Sequence, residues 1–134
     1  MRFMIIGMAT KESETGPPRN PETLAAMQQY NEDLIKAGVL LAAEGLTPTS
    51  KGTRVKFSGD QRIVTDGPFA ESKEVIAGFT ILQVKSKEEA IEWVRRAPNC
   101  NPGGEGIVEI RKLMDVEDFG EGFTPNEEIA KVKY

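Results

Sequence analysis

The chain has no histidine and only one cysteine among its 134 residues. Histidine is the side chain that most often transfers protons near neutral pH and most often binds transition metals. Its absence excludes Ser-His-Asp and Cys-His catalytic arrangements and, with a single cysteine, the usual structural zinc sites. Composition still allows a carboxylate site for magnesium or calcium, but the spacing of an EF-hand loop is missing. We therefore expect no cofactor.

Features that would direct the chain to a membrane, a secretory route or nucleic acid are also missing. No apolar stretch is long enough to span a bilayer, and the first strand begins at Arg2 without the apolar region and cleavage site of a signal peptide. Cys100 has no partner for an internal disulfide and reads as an ordinary loop thiol. The net charge is −4, and no Lys/Arg cluster is present that would neutralise phosphates. These observations predict a cytoplasmic protein that binds neither nucleic acid nor a membrane.

The length is that of one domain. We predict a domain over residues 1–120 and a C-terminal tail over residues 121–134, because the chain becomes acidic and irregular beyond Asp115. We expect this tail to be an arm or partly disordered.

Hydrophobic periodicity and turn residues predict six strands and two helices. The first helix follows the N-cap Asn20 and ends at Gly38, and its apolar stripe consists of Leu24, Met27, Leu34 and Ile35. The second helix begins at a capping box over Ser86–Glu89, and its apolar stripe consists of Ala90, Ile91, Trp93, Val94 and Ala97. The strands are predicted at Arg2–Met8, Val39–Leu46, Thr53–Phe57, Arg62–Thr65, Val75–Val84 and Ile107–Leu113, with a polar loop over Thr10–Arg19. This order predicts an α+β domain of the ferredoxin-like βαββαβ plan with an inserted hairpin.

Two of the predicted strands, Val39–Leu46 and Val75–Val84, are apolar at nearly every position, as expected for burial on both sides. Two helices can cover only one face of the sheet. We therefore expect a homodimer with facing sheets, since two-fold dimers are the commonest soluble assembly. The alternative is that the loop Thr10–Arg19 and the tail Asp115–Tyr134 fold back over the second face.

A rigid corner follows the inserted hairpin. Pro68 fixes its own φ, lacks a backbone donor and restricts Gly67, so the preceding strand must end there. We expect Asp66 to accept a hydrogen bond from a backbone N–H just downstream and Phe69 to attach the corner to the core. Turn chemistry alone accounts for these residue types, and a site in the loop is the alternative.

The stretch from Val64 to Phe79, VTDGPFAESKEVIAGF, resembles the signature of the YCII-related proteins of the DGPF subgroup. Further matches are AGVLLAAEGL from Ala37, EAIEW from Glu89, Glu109-Ile110-Arg111 and Glu117-Asp118-Phe119, so the resemblance covers Met1 to Gly120. It implies the dimeric α+β barrel fold. The wider family has a suspected His–Asp catalytic pair, which a chain without histidine cannot supply. Some relatives look like partners of extracytoplasmic-function sigma factors, which implies a regulatory partner.

Seven charged residues are candidates for a site. Glu44 shares a strand face with apolar residues. In a dry cavity its pKa would rise, and the carboxyl group could act as an acid or base near neutral pH. The alternative is that Glu44 lies at the strand end, solvated or paired with an Arg. Asp66 is the second catalytic candidate. An Arg fork facing a cavity would suit an anionic small molecule. The candidate ligand-binding residues are Arg54, Glu71, Lys73, Glu74 and Arg111, with Arg62 as a further partner for the acids.

These observations favour a homodimer that binds a small molecule or serves a regulatory partner, without established catalysis. The first alternative is a cofactor-independent enzyme of the lyase or isomerase type, with Glu44 or Asp66 transferring a proton and an Arg stabilising negative charge. The second is an accessory protein-interaction module, linked to sigma-factor regulation, that uses the acidic tail Glu117–Tyr134.

Overall fold

The computed structural model describes residues 1–16, 20–69, 75–120 and 127–132. In chain order its elements are β1 (Arg2–Met8), α1 (Lys11–Glu14), α2 (Pro21–Lys36), β2 (Leu40–Gly45), β3 (Thr53–Ser58), β4 (Gln61–Asp66), β5 (Ile76–Gln83), α3 (Lys87–Arg95), β6 (Val108–Lys112) and α4 (Glu127–Ala130). Short 3₁₀ turns cover Thr49–Lys51 and Val116–Phe119.

The main sheet has four strands in the order β2-β5-β1-β6, and all its neighbouring strands are antiparallel. Numbered without the insertion, this is the strand order of a ferredoxin-like domain. Strands β3 and β4 pair only with each other in a separate two-stranded sheet. The predicted α+β fold with an inserted hairpin is therefore confirmed, and its association into a dimer stays a prediction.

Helix α2 forms where its end signals predict it. The Asn20 side chain accepts from the backbone N–H groups of Glu22 at 2.9 Å and Thr23 at 3.3 Å, with Pro21 in the first turn. After the helix, Gly38 takes a φ of +73°, a conformation that glycine adopts without a Cβ penalty. The predicted boundaries are confirmed within two residues.

The buried face of α2 differs from the predicted stripe. Leu34 is fully buried and Met27 half-buried, but Leu24 and Ile35 are exposed. The face that contacts the sheet runs instead through Thr23, Met27, Tyr30 and Leu34, whose spacing of four, three and four residues keeps them on one side of a helix. Leu24 and Ile35 lie one residue off that line.

Helix α3 packs on the same face of the sheet as α2. The Ser86 hydroxyl accepts from the Glu89 N–H at 3.2 Å, while the Glu89 carboxylate accepts from the Lys85 N–H at 2.8 Å, one residue before the position expected in a capping box. The core between sheet and helices contains buried Phe3, Leu34, Val39, Leu82, Val84 and Ala90, with Trp93 and Tyr30 partly buried against it. The Tyr30 hydroxyl donates to the Trp93 carbonyl at 2.6 Å and joins the two helices.

Burial on both sides is confirmed for β5 and wrong for β2. Ile81 and Leu82 point to opposite faces of β5, and both are fully buried. Strand β2 is an edge strand, in which Ala43, Glu44 and Gly45 are exposed. Apolar character alone does not separate a central strand from an edge strand, because the position in the sheet is set by pairing.

Two segments predicted to be irregular contain short helices. Thr10–Arg19 includes α1, whose N-cap Thr10 exchanges side-chain and backbone hydrogen bonds with Ser13. Beyond Asp115, a 3₁₀ turn is held by the Lys112 ammonium, which lies 3.3 Å from Asp115 and 2.7 Å from Asp118. The segment after β6 is therefore attached to the sheet by charge.

Candidate functional site

The second face of the main sheet, opposite α2 and α3, has an apolar centre. Strand register places two rows of residues across it: Glu44-Phe79-Ile6-Glu109 and Ala42-Ile81-Met4-Arg111. Ile6 and Ile81 are buried, and Met4 and Phe79 are half-buried. We call these four residues the apolar floor. Since neighbouring strands lie about 4.8 Å apart, the floor separates the two edge strands by roughly 14 Å.

Charged residues stand at the two edges of the apolar floor. Glu44 lies on the edge strand β2 and is exposed, so one chain alone does not provide the dry cavity on which its acid–base role depends. On the opposite edge, the Arg111 guanidinium lies 3.4 Å from the Glu109 carboxylate. The structure thus brings Glu44 and Arg111 to one face but to opposite margins of it.

The corner after the hairpin is the second candidate region. The Gly67–Pro68 peptide bond is cis. The Gly67 N–H donates to the Gly52 carbonyl at 2.9 Å and the Phe69 N–H to the Thr49 hydroxyl at 3.3 Å. A Cβ on residue 67 would collide with the Thr49 carbonyl oxygen, so only glycine allows the two segments to approach this closely.

Glu14 holds this corner from the opposite side, a role that was not predicted from the sequence. Its carboxylate accepts the Thr49 backbone N–H at 3.3 Å and also the Thr49 hydroxyl. Glu14 belongs to α1 and is separated from Thr49 by 35 residues. The sequence contained one signal, the Thr10 and Ser13 cap of α1. That cap would have predicted the helical turn, but not the contact of Glu14 with Thr49.

Arg54 and Asp66 both lie at the base of the hairpin but on opposite faces of it. The Arg54 guanidinium stacks 3.8 Å from the centre of the Phe69 ring, so Phe69 attaches the corner to the hairpin and not to the main core. Asp66 accepts from the Thr53 hydroxyl at 3.0 Å across the hairpin. Among the described backbone N–H groups just downstream, those of Gly67 and Phe69 donate elsewhere, so neither forms the predicted bond to Asp66. Glu71, Lys73 and Glu74 lie outside the described residues.

An open cleft of about 340 Å³ lies between α2 and the end of α3. Its lining includes Tyr30, Asp33, Trp93 and Arg96, with the Arg96 guanidinium 4.4 Å from the centre of the Trp93 ring. Burial raises the pKa of the Tyr30 phenol, and the Arg96 charge opposes part of this rise. Of these residues, the sequence predicted only Trp93 in a buried stripe, and Trp93 does pack against the core.

Cys100 is exposed in the loop after α3, and its Sγ lies 3.8 Å from the Pro98 carbonyl oxygen. Partial desolvation raises the pKa of the thiol, which reduces the thiolate fraction near neutral pH. This agrees with an ordinary loop thiol.

Within residues 1–16, 20–69, 75–120 and 127–132, no three Asp, Glu or Cys side chains are grouped so that they could hold a metal ion. The helices in this part of the chain are all too short or too polar to cross a bilayer.

Comparison with known proteins identifies a family and leaves the site unassigned. A similar protein is an uncharacterised protein of Rhizobium meliloti (strain 1021), 38% identical over 79 residues, which are 59% of this chain and 63% of that protein. The match therefore spans less than two thirds of the relative's length. The family model of the YCII-related domain matches residues 1–117. This match covers most of the chain, including β1 to β6 and both large helices, and we conclude that the chain belongs to the YCII-related domain family.

Proposed function

We propose that the protein is a homodimer in which the apolar floors of two copies enclose a binding site for a small anionic molecule. The observation that carries this proposal is the second sheet face, which joins an apolar centre to charged groups at its margins. A mostly apolar lining with a few polar groups is the usual composition of a small-molecule site.

A second copy is the partner that the exposed end of this face fits best. Leu46 and Ile76 are exposed by 51% and 43%, and the Leu46 N–H donates to the Ala77 carbonyl, next to Ile76. These side chains extend the apolar floor toward the hairpin. Clustered exposed apolar residues of this kind mark an interface more often than a free surface, and two-fold symmetry places the same patch on both subunits.

Arg111 is the residue most suited to bind the anion. Its guanidinium is exposed and presents a planar fork of donors that matches a carboxylate or phosphate. The nearby Glu109 carboxylate keeps one of its N–H groups engaged and so orients it. The lyase or isomerase alternative has less support from the geometry, since Glu44 is exposed at the sheet edge and Asp66 is exposed on the hairpin. A regulatory role linked to a sigma factor stays a prediction.

The proposal is tested in two steps. Sedimentation of the full chain at about 10 µM should show a dimer. Thermal unfolding in a panel of small carboxylates and phosphate monoesters should then show at least one compound that raises Tm by several degrees through binding to the folded state.

Arg111→Gln should abolish that rise, whereas Arg95→Gln should keep it. Arg95 is a matched control because it is equally exposed and also pairs with a glutamate, Glu92, but lies on α3. A monomer at this concentration, or equal stabilisation of wild type and Arg111→Gln, would contradict the proposal.

A further inference from the structure

Among the described residues, only Phe69, stacked on Arg54, lies against the hairpin formed by β3 and β4, and the side opposite Arg54 is open to solvent. All six residues of each strand are exposed, including Val55 at 49%, Phe57 at 70% and Val64 at 65%. Strand register places these three side chains on one side of the hairpin, together with Arg62, whose guanidinium lies 4.5 Å from the centre of the Phe57 ring. A two-stranded hairpin that buries no apolar side is marginally stable in water. We call residues 51–66 the basic arm.

The charge of the basic arm is opposite to that of the rest of the chain. It contains four basic residues, Lys51, Arg54, Lys56 and Arg62, and two acidic ones, Asp60 and Asp66, which gives a net charge of +2. Because the whole chain carries −4, the remaining residues carry −6. Such an arm is complementary in charge to a second copy of its own chain.

The margin of the apolar floor supplies a matching acidic group. Within the described residues, no cation lies at ion-pair distance from the exposed Glu44 carboxylate, whereas Glu109 on the opposite margin is paired with Arg111. On the same margin lie the exposed apolar residues Leu46 and Ile76, beside the floor. An apolar surface with a cation beside it would complement this edge.

We propose that the basic arm packs through Val55, Phe57 and Val64 onto the exposed Leu46 and Ile76 beside the apolar floor of a second copy and brings Arg62 to Glu44 of that copy. This inference rests on the proposed homodimer and adds the arm as the element that closes the shared site. It makes each site incomplete without a residue from the other copy.

The apolar contact is tested with the double variant Phe57→Ser/Val64→Thr. Its dimer dissociation constant, measured by sedimentation of the full chain, should rise by about 30-fold, the effect of losing an aromatic anchor. Ile63→Ser is the matched control, since Ile63 is exposed by 45% on the other side of the same hairpin and should change the constant less than threefold. Equal dissociation constants for wild type and the double variant would overturn the arm contact and leave the homodimer standing.

The charge contact is tested by exchange of the two charges. Arg62→Glu and Glu44→Arg should each weaken the dimer by about tenfold, and the double variant should recover most of the wild-type affinity. Lys56→Glu, which changes the same charge on the opposite side of the hairpin, should not be rescued by Glu44→Arg. Absence of recovery in the Arg62→Glu/Glu44→Arg double variant would overturn the assigned pair.

Hydrogen exchange of the hairpin amides shows whether the hairpin is covered by a second copy of the chain or by a different partner. Protection that appears with dimerisation and disappears on dilution is the expected result. Protection that appears only with anionic phospholipid vesicles or a single-stranded oligonucleotide would overturn the inference in favour of that partner. A monomeric wild type would overturn the proposed homodimer itself.

Discussion

The helix-backed sheet and the hairpin use similar apolar residues but bury them to very different extents. Leu82 in β5 is fully buried, whereas Phe57 in β3 is 70% exposed. In the sequence β5 is apolar at nearly every position, whereas β3 alternates apolar residues with Arg54 and Lys56. The difference is that β5 has strand partners on both sides and two helices on one face, while β3 has only β4. Burial therefore depends on what a strand packs against, and an unpacked strand of this composition indicates a surface for another molecule.

The largest expected loss of stability is for a substitution in the core of the helix-backed sheet. Leu82→Ala should lower the free energy of unfolding by about 3 kcal/mol, because it leaves a cavity between the sheet and the helices. Ile63→Ala in the hairpin should change it by less than about 0.5 kcal/mol, since that side chain is 45% exposed. Urea denaturation at one protein concentration measures both. Similar losses in the two variants would mean that the hairpin is packed in solution.

An intermediate effect is expected at the corner that joins the two regions. Gly67→Ala should destabilise the protein by about 2 kcal/mol, because the new methyl group must displace the Thr49 carbonyl. Gly45→Ala in β2 is the control, since a Cβ there meets no atom within 4 Å and should cost less than about 0.5 kcal/mol. Thermal unfolding compares the two, and an unchanged Tm in Gly67→Ala would show that the corner is looser than this close approach implies.

The smallest effect concerns the segment after β6, which is attached to the main sheet by charge. The hydrogen bond from Lys112, with a second from the Asp115 N–H, lowers the pKa of Asp118 below its usual 3.8. A carboxyl with a lowered pKa stabilises the folded state above the unfolded pKa, and this contribution is lost as the pH falls through the lower, folded value. Carboxyl titration by NMR should find the midpoint of Asp118 below 3.8 and moved upward in Lys112→Gln. An unchanged midpoint in that variant would contradict the assigned cause.

Local signals in the sequence predicted the elements of both regions closely. Helix α2 was predicted from Asn20, Pro21 and Gly38, and α3 from Ser86, because capping residues act within one turn of the helix that they begin or end. The turn at Gly59 and the alternation around it placed the hairpin, whose strands extend only slightly beyond the prediction. The family resemblance agreed with this plan, and the match of the YCII-related domain over residues 1–117 bears it out. The DGPF subgroup stays a prediction.

The contacts of the candidate site were harder to predict, since they depend on residues far apart in the chain. Nothing near Glu14 indicated that its carboxylate would bind Thr49, which lies 35 residues away. Asp66 accepts from the hydroxyl of Thr53, its partner across the hairpin, at 3.0 Å, a contact that no neighbouring residue in the sequence indicated. Likewise, Glu44 lies on an apolar strand but is exposed, since β2 is at the sheet edge.

The sequence by itself determined the order of strands and helices, the position of the inserted hairpin and the exclusion of histidine-based chemistry, because these follow from local backbone preferences and from side chains that are absent. Tertiary structure alone decided that Glu44 and Arg111 stand at opposite margins of one apolar floor, that Glu14 holds the corner, and that the basic arm is uncovered. Those relations depend on strand pairing and long-range packing, and no short stretch of sequence contains them.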